Sequence, residues 1–245
     1  MGLKMPLKES PILAELIGIL LGDGSIGIYK CKRKCGNFSL QHKMQITLNS
    51  IDDKDYIIFL EKMIFRLFGV KPKITYRSGR TCDLRLFKKE IIQFLINEIG
   101  MVMSPKWKNA KIPDYYLHTD LEIKIIRGYF DTDGSVVVTN NNGTLYPRLE
   151  MKICPSPMQS HIIDILKRME FRFGVYSIGK GKVRIQLNGK QQLEKWIKEI
   201  GFSNNKHIIK AKLFFSSKPI AGDGFEPSTF GSPFEPEVQY EPFAS

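Results

Sequence analysis

Two stretches of the chain place an acid at the end of an apolar run. They are residues 16–24 (LIGILLGDG) and 126–134 (IRGYFDTDG). Each reads as a helix ending in Asp-Gly, where Gly24 or Gly134 can turn the chain. Each also carries a glycine, Gly18 or Gly128, inside the helix, at a cost of about 1 kcal/mol in helix propensity. That cost makes sense if another helix backbone must come close. If the two helices pack side by side about a pseudo-twofold axis, Asp23 and Asp133 meet at their ends. Carboxylates there face the negative end of the helix dipole and repel each other. A hard divalent cation removes the problem. Mg²⁺ accepts one or two carboxylates, keeps several waters and takes its remaining oxygens from phosphate. It then activates water and stabilises the leaving oxygen in phosphodiester hydrolysis. Asp23 and Asp133, with Gly22 and Thr132 beside them, are the candidate metal site. Mg²⁺ is the expected cofactor, with Mn²⁺ as its substitute. A lone Asp-Gly is more simply a helix cap and turn, so the matched pair carries the argument.

The pair belongs to a longer repeat. LLGDGSIGI (20–28) recurs as FDTDGSVVV (130–138), and KMQI (43–46) resembles EMKI (150–153). RLFGV (66–70) recurs as RFGV (172–175), and NEIG (97–100) as KEIG (198–201). The matches stay in order, so two copies of one unit are expected. In each copy an apolar helical stripe comes first: Leu13, Leu16, Ile17 and Leu20 after Ser10-Pro11, then Leu121, Ile125 and Tyr129 with Thr119 or Asp120 as cap. Alternating strands follow, then a helix, a hairpin and a closing helix. The order is αββαββα, twice. The expected fold class is α+β: two tandem repeats forming a pseudo-twofold saddle with antiparallel sheets. Residues 1–115 form the first half, 116–218 the second, and 219–245 an acidic, proline-rich tail.

Charge fits that division. The whole chain carries 37 Lys+Arg against 25 Asp+Glu, a formal +12. Five of those acids and no Lys or Arg fall in 219–245, so residues 1–218 carry +17. The tail reads as poorly ordered. A basic body of that size suits a polyanion, and nucleic acid is the first candidate. The strands give the charge a place. One set of alternating positions holds Lys43, Gln45, Thr47, Lys73, Thr75, Arg77, Asp83 and Arg85 in the first copy. The second holds Arg148, Glu150, Lys152, Lys182, Arg184 and Gln186. Such a mixture suits base edges as well as phosphates. Lys30, Lys32, Arg33, Lys34, Gln41, Arg80, Thr139, Asn140, Asn141 and Lys180, in or beside the turns, extend the expected DNA-binding surface.

Other classes recede. No apolar run is long enough to span a membrane. The start lacks a signal peptide. Cysteines 31, 35, 82 and 154 form no framework, which points to an intracellular protein of cytoplasm or organellar matrix, not a secreted one. Cys31, Cys35 and His42 have only a loose zinc spacing. No phosphate-binding glycine loop or dinucleotide fingerprint is present. The start at Met1, without a nucleophile, and an end without His-Asn disfavour an enzyme embedded in an intein.

The paired motifs and the element order resemble the LAGLIDADG homing endonucleases in their single-chain, two-repeat form, over about residues 10–215. The resemblance implies a monomer whose sheets straddle the major groove of a long, asymmetric DNA site. It also implies that the last acid of each motif, Asp23 and Asp133, holds divalent metal at the two scissile phosphates. The family's earlier acid is matched by Asp131 in the second copy but by Leu21 in the first. A catalytic lysine is implied after the last helix of each repeat, at Lys106 (with Lys108 as rival) and Lys206. The family's glutamine falls near Leu48, where Asn49 or Gln45 would substitute; the second copy, at ICPSP, offers no partner. Site-specific double-strand DNA cleavage is therefore the expected function. The alternatives on the same fold are a splicing cofactor that binds intron RNA and a DNA-binding relative without cleavage.

Overall fold

The structure is a computed structural model that describes residues 2–32 and 36–216. Arg33, Lys34, Cys35, the tail 219–245 and the side chain of Asn141 lie outside the described residues. The first repeat runs α1 (Pro11–Leu21), β1 (Gly24–Lys32), β2 (Phe38–Asn49), α2 (Lys54–Phe68), β3 (Lys73–Arg77), β4 (Thr81–Leu86) and α3 (Lys89–Gln93), which a π-helical turn (Phe94–Glu98) extends. The second runs α4 (Glu122–Asp133), β5 (Gly134–Asn141), β6 (Thr144–Ile153), α5 (Met158–Arg168), β7 (Gly174–Ser177), β8 (Val183–Asn188) and α6 (Lys190–Glu199). A helix that the repeat pattern does not contain, α7 (Asn205–Ser216), follows. The fold is α+β, with two four-stranded antiparallel sheets ordered β1-β2-β4-β3 and β5-β6-β8-β7. No helix among the described residues is long and apolar enough to cross a membrane.

Local chemistry accounts for the first helix of each repeat. Ser10 accepts the Leu13 amide at 3.4 Å and Pro11 occupies the first helical position, where its missing N–H costs nothing. The expected Thr119 or Asp120 side-chain cap on the matching helix is absent: Leu121 stands at the cap position. Glu122 instead folds back, accepting the His118 amide ahead of the helix at 2.9 Å and two bonds from Arg168 at 2.7 and 2.8 Å. Hydrogen bonds between charged partners, as in the Arg168–Glu122 pair, are the stronger kind.

Register relates the two sheets. Gly24 pairs with Ile46 and Ile46 with Leu84; Gly134 pairs with Met151 and Met151 with Ile185. Ile46 thus corresponds to Met151 and Lys43 to Arg148. The sequence match of 43–46 to 150–153 is two residues out of step. A slip of two leaves every side chain on its proper face, which is why the alternation read correctly despite the shift.

Helices α1 and α4 lie side by side in the core. Leu13, Leu16, Ile17, Ile125 and Ile126 are all fully buried between them and the sheets. Trp196 is buried as well, beside Phe130 and Phe171 at ring centroid distances of 4.7 and 5.8 Å.

His207 of α7 packs near Phe130 and Phe202 and is 1 % exposed. Neither ring nitrogen makes a well-formed hydrogen bond. Burial, then the charges of Lys206 and Lys210, push its pKa down to about 3. The folded state therefore keeps it neutral, while the unfolded chain protonates it near its ordinary value. Its contribution to stability is complete above about pH 6.5. It is lost as pH falls towards 3, at up to about 1.4 kcal/mol per pH unit. Asp131, held above its usual range by burial, works in the opposite sense, so the comparison must be with a variant. His207→Phe is expected to lose less melting temperature than wild type between pH 7 and 4.5; equal losses would show that His207 does not titrate on unfolding.

Candidate metal and nucleic-acid site

The site is built where α1 and α4 end. A Cβ on Gly18 would lie 2.0 Å from the Ile125 carbonyl oxygen, and one on Gly128 2.2 Å from that of Glu15. The two backbones are in contact, with no room for side chains between them. At the C-terminal ends, a Cβ on Gly22 would lie 2.1 Å from the Thr132 hydroxyl oxygen and 3.3 Å from an Asp133 carboxylate oxygen. Asp23 follows Gly22 at this junction, and both aspartates reach the surface.

Electrostatics ties them together. Burial by crowded neighbours raises the Asp133 pKa to about 7, with the charge of Asp23 as the next cause. Asp23 is also raised, again chiefly by burial, with Lys206 working against it. Each carboxyl therefore holds its proton more tightly than a free one.

Two lysines complete the cluster. The Lys106 ammonium donates to the C-terminal carbonyls of α1: Leu20 and Leu21, each at 2.6 Å, and Gly22. A cation at a helix C-terminus is favoured. Burial nevertheless lowers the Lys106 pKa to about 8, opposed by the charges of Asp133 and Asp23. Lys108, its rival, is exposed. Lys206, at the start of α7, pairs with Asp53 at 2.8 Å. The structure thus brings Asp23, Asp133, Lys106 and Lys206 into one region.

The donors suit a hard cation. Two carboxylates and backbone carbonyls are all oxygen, the preference of Mg²⁺, Mn²⁺ or Ca²⁺. Among the described residues no group of three or more His, Cys, Asp or Glu side chains is placed to hold a metal. Water and phosphate would have to fill the remaining positions. Of the loosely zinc-spaced Cys31, Cys35 and His42, Cys35 lies outside the described residues. Of the neighbouring candidates, Thr132 directs its hydroxyl into its own helix, donating to the Tyr129 and Gly128 carbonyls at 3.0 and 3.3 Å. The Gly22 carbonyl is engaged by Lys106. Clefts of about 680 and 770 Å³ flank the helix ends. Gly22, Lys106, Trp107, Asp133 and Lys182 line the first, with the Lys182 ammonium 4.4 Å above the Trp107 ring.

The polar sheet faces follow from register. Gln41, Lys43, Gln45, Lys73, Thr75, Arg77, Asp83 and Arg85 share one face of the first sheet. Thr139, Arg148, Glu150, Lys152, Arg184 and Gln186 share one face of the second. Other candidates are placed differently. Lys30 and Lys32 alternate onto the opposite face with Leu40 and Phe38, and Lys30 lies over the Phe38 ring at 4.5 Å. Asn140 also falls on the opposite face, and its side chain accepts the Gly143 amide of the turn at 2.9 Å. Asp83 is on the polar face but has no exposed surface. Arg80 and Lys180 occupy turns with φ of 60° and 53°.

Residues 120–201 match the family model of LAGLIDADG-like domains. Among solved structures, I-SmaMI bound to uncleaved DNA with calcium superposes with a TM-score of 0.58 at 12 % identity, covering 85 % of this chain and 91 % of that one. This is the LAGLIDADG fold. I-LtrWI bound to target DNA gives 0.58 at 14 % identity over 84 % and 90 % of the two chains. I-DmoI in complex with DNA and Mn gives 0.53 at 20 % identity over 79 % and 97 %. Two curated proteins of Methanocaldococcus jannaschii also match. One is an uncharacterized protein, 22 % identical over 71 % of this chain. The other is a replication factor C small subunit, 23 % identical over 81 % of it. The chain spans 60 % of the first and 10 % of the second.

The sequence missed one component that the fold places at the site. Asp53 is 4 % exposed and accepts from the Asn49 amide (3.1 Å), the Asn204 side chain (2.9 Å) and Lys206 (2.8 Å). It thereby ties the first repeat to the segment that carries Lys206. In NSIDDKD it reads as a helix N-terminal acid, and nothing local signals a partner 153 positions away. Neither expected stand-in for the family's glutamine is uncommitted. Gln45 belongs to the Asp83 network, and Asn49 accepts the Ile51 and Asp52 amides of its own turn at 2.9 and 3.1 Å.

Proposed function

We propose that the protein is a divalent-metal-dependent, site-specific DNA endonuclease that acts as a monomer. The observation that carries this reading is the meeting of Asp23 and Asp133 at the adjoining ends of two backbone-packed helices, with Lys106 and Lys206 beside them. DNA and divalent ions accompany structural neighbours of the same fold, including I-SmaMI with Ca and I-DmoI with Mn. A cation bound here would lower the pKa of a coordinated water and offset charge on the phosphate. Asp23 and Asp133 would hold it, with Mg²⁺ the preferred ion.

The protein's own groups prepare the rest. Lys106 keeps a positive charge at the junction below about pH 8 and draws the phosphate towards the carboxylates. Lys206, held by Asp53, does so on the other side. The polar sheet faces hold the duplex. The formal +17 of residues 1–218 makes affinity fall with salt, with a logarithmic slope of about −0.9 per phosphate contacted on duplex DNA.

Incubating the full chain with Mg²⁺ and a randomised duplex library tests the proposal. The cut pool should converge on one long, asymmetric site. Absence of cut product with both Mg²⁺ and Mn²⁺ would refute it. Preferential binding of structured RNA would favour the splicing-cofactor alternative.

A further inference from the structure

On the polar face of the first sheet, one carboxylate is fully hidden. Asp83 of β4 has 0 % exposure although it points towards the solvent side of the sheet. Arg77 grips it through two bonds of 2.8 and 2.9 Å. Arg85 reaches it through Nη2 and gives its Nε to Gln45 at 3.0 Å. Thr47 and Gln45 donate to it at 2.9 and 3.2 Å. The cluster is a closed polar lattice in which each guanidinium commits its Nε and Nη2.

That leaves the Nη1 edge of each guanidinium outside the lattice. The Arg77 and Arg85 side chains are 49 % and 28 % exposed. An arginine fork meeting the O6 and N7 atoms of guanine is the commonest specific contact in the major groove. A fork already fixed by a carboxylate loses less freedom when it binds. The second sheet is built differently at the same places. Leu84 corresponds to Ile185 by register, so Asp83 corresponds to Arg184 and Gln45 to Glu150. There the acid is Glu150, partly exposed, paired with Arg148 and accepting from Gln186 at 2.8 Å.

We propose that Asp83 is a positioning residue that never touches DNA but locks Arg77 and Arg85 as guanine readers for one half of the target site. The inference rests on the DNA-binding reading above. It also makes the target asymmetric, because the second sheet builds its Arg148–Glu150–Gln186 cluster at other register positions and on a single arginine.

Site selection from a randomised duplex library, by binding in Ca²⁺, tests it with full-length wild type, Asp83→Asn, Arg77→Gln and Arg85→Gln. Wild type should require guanine at one or two positions within one half-site. Arg77→Gln and Arg85→Gln should each lose a guanine there. Asp83→Asn should relax the same positions by about tenfold while preferences in the other half-site stay unchanged. If Asp83→Asn fails to fold, loss of those guanines in both arginine variants supports the proposal, and retention in either overturns it. Unchanged guanine preference in a folded Asp83→Asn, or a uniform loss across all positions, overturns it while the DNA-binding reading stands. Selection of no site by wild type overturns that reading and this one together.

Discussion

Asp23→Asn and Asp133→Asn are each expected to lower double-strand cleavage by about a thousandfold, the equivalent of several kcal/mol at 1.36 kcal/mol per decade. Affinity for the same DNA should stay close to wild type, since neither residue lies on a sheet face. The argument rests on what the two carboxyls cost the fold. Each stands at the negative end of a helix, and Asp133 is raised to about 7 in part by Asp23. The charges of Lys106 and Lys206 offset only part of that. Replacing either with the neutral amide should therefore raise the melting temperature of the metal-free protein, while removing the ability of Mg²⁺ or Mn²⁺ to raise it further. Ions that bind only the native state stabilise it by mass action, so the metal-dependent shift is a readout separate from activity.

The same pKa sets a pH dependence. Metal binding needs the carboxylate form, so protons and metal compete. Below about pH 7 the raised pKa of Asp133 works against the metal, and apparent affinity should fall up to about tenfold per pH unit. In Asp23→Asn one cause of the shift is gone, and the Asp133 carboxyl should titrate at lower pH. Carboxyl NMR titration of wild type and Asp23→Asn measures this directly. An unchanged Asp133 titration would mean that the two groups do not face each other, and the single metal region would have to be abandoned.

Much of this was legible in the sequence, for physical reasons that differ between residues. Gly18 and Gly128 announced the helix contact because glycine inside an apolar helix is costly without one. The strand faces could be read because alternation survives a slip of two residues, even where 43–46 was matched two positions out of step. What could not be read depends on partners far along the chain. Asp53 meets Lys206 and Asn204 only after both repeats have folded. Asp83 looked like any charge on a wet strand until Arg77 and Arg85 closed over it. Lys30 and Lys32 were legible as basic but not as belonging to the opposite face, since in a long hairpin beyond the core no buried neighbour marks the side. Helix α7 follows the second repeat and lies outside its pattern, so the first copy offered no template for it.

Gly18→Ala and Gly128→Ala should be strongly destabilising, although alanine is the better helix former. Two effects oppose each other. Alanine gains about 1 kcal/mol in helix propensity over glycine. Against this, the new Cβ would lie 2.0 Å from the Ile125 carbonyl oxygen or 2.2 Å from that of Glu15. Those atoms are backbone and cannot rotate away, so one helix must shift by more than an ångström within a close-packed core. Overpacking of that kind costs about 3 kcal/mol or more at its upper range, which outweighs the propensity gain and leaves a net loss of about 2 kcal/mol. For a chain of this size the melting temperature should fall by roughly 4–8 °C. The double variant should lose less than the sum, because the helix separation forced by one methyl makes room for the other. Cleavage should suffer more than DNA binding in either single variant, since moving α1 from α4 parts Asp23 from Asp133 and leaves each sheet face intact. Thermal denaturation and paired binding and cleavage assays decide the matter. A melting temperature raised by the alanine would mean that propensity had won and that the two helix backbones are not in contact.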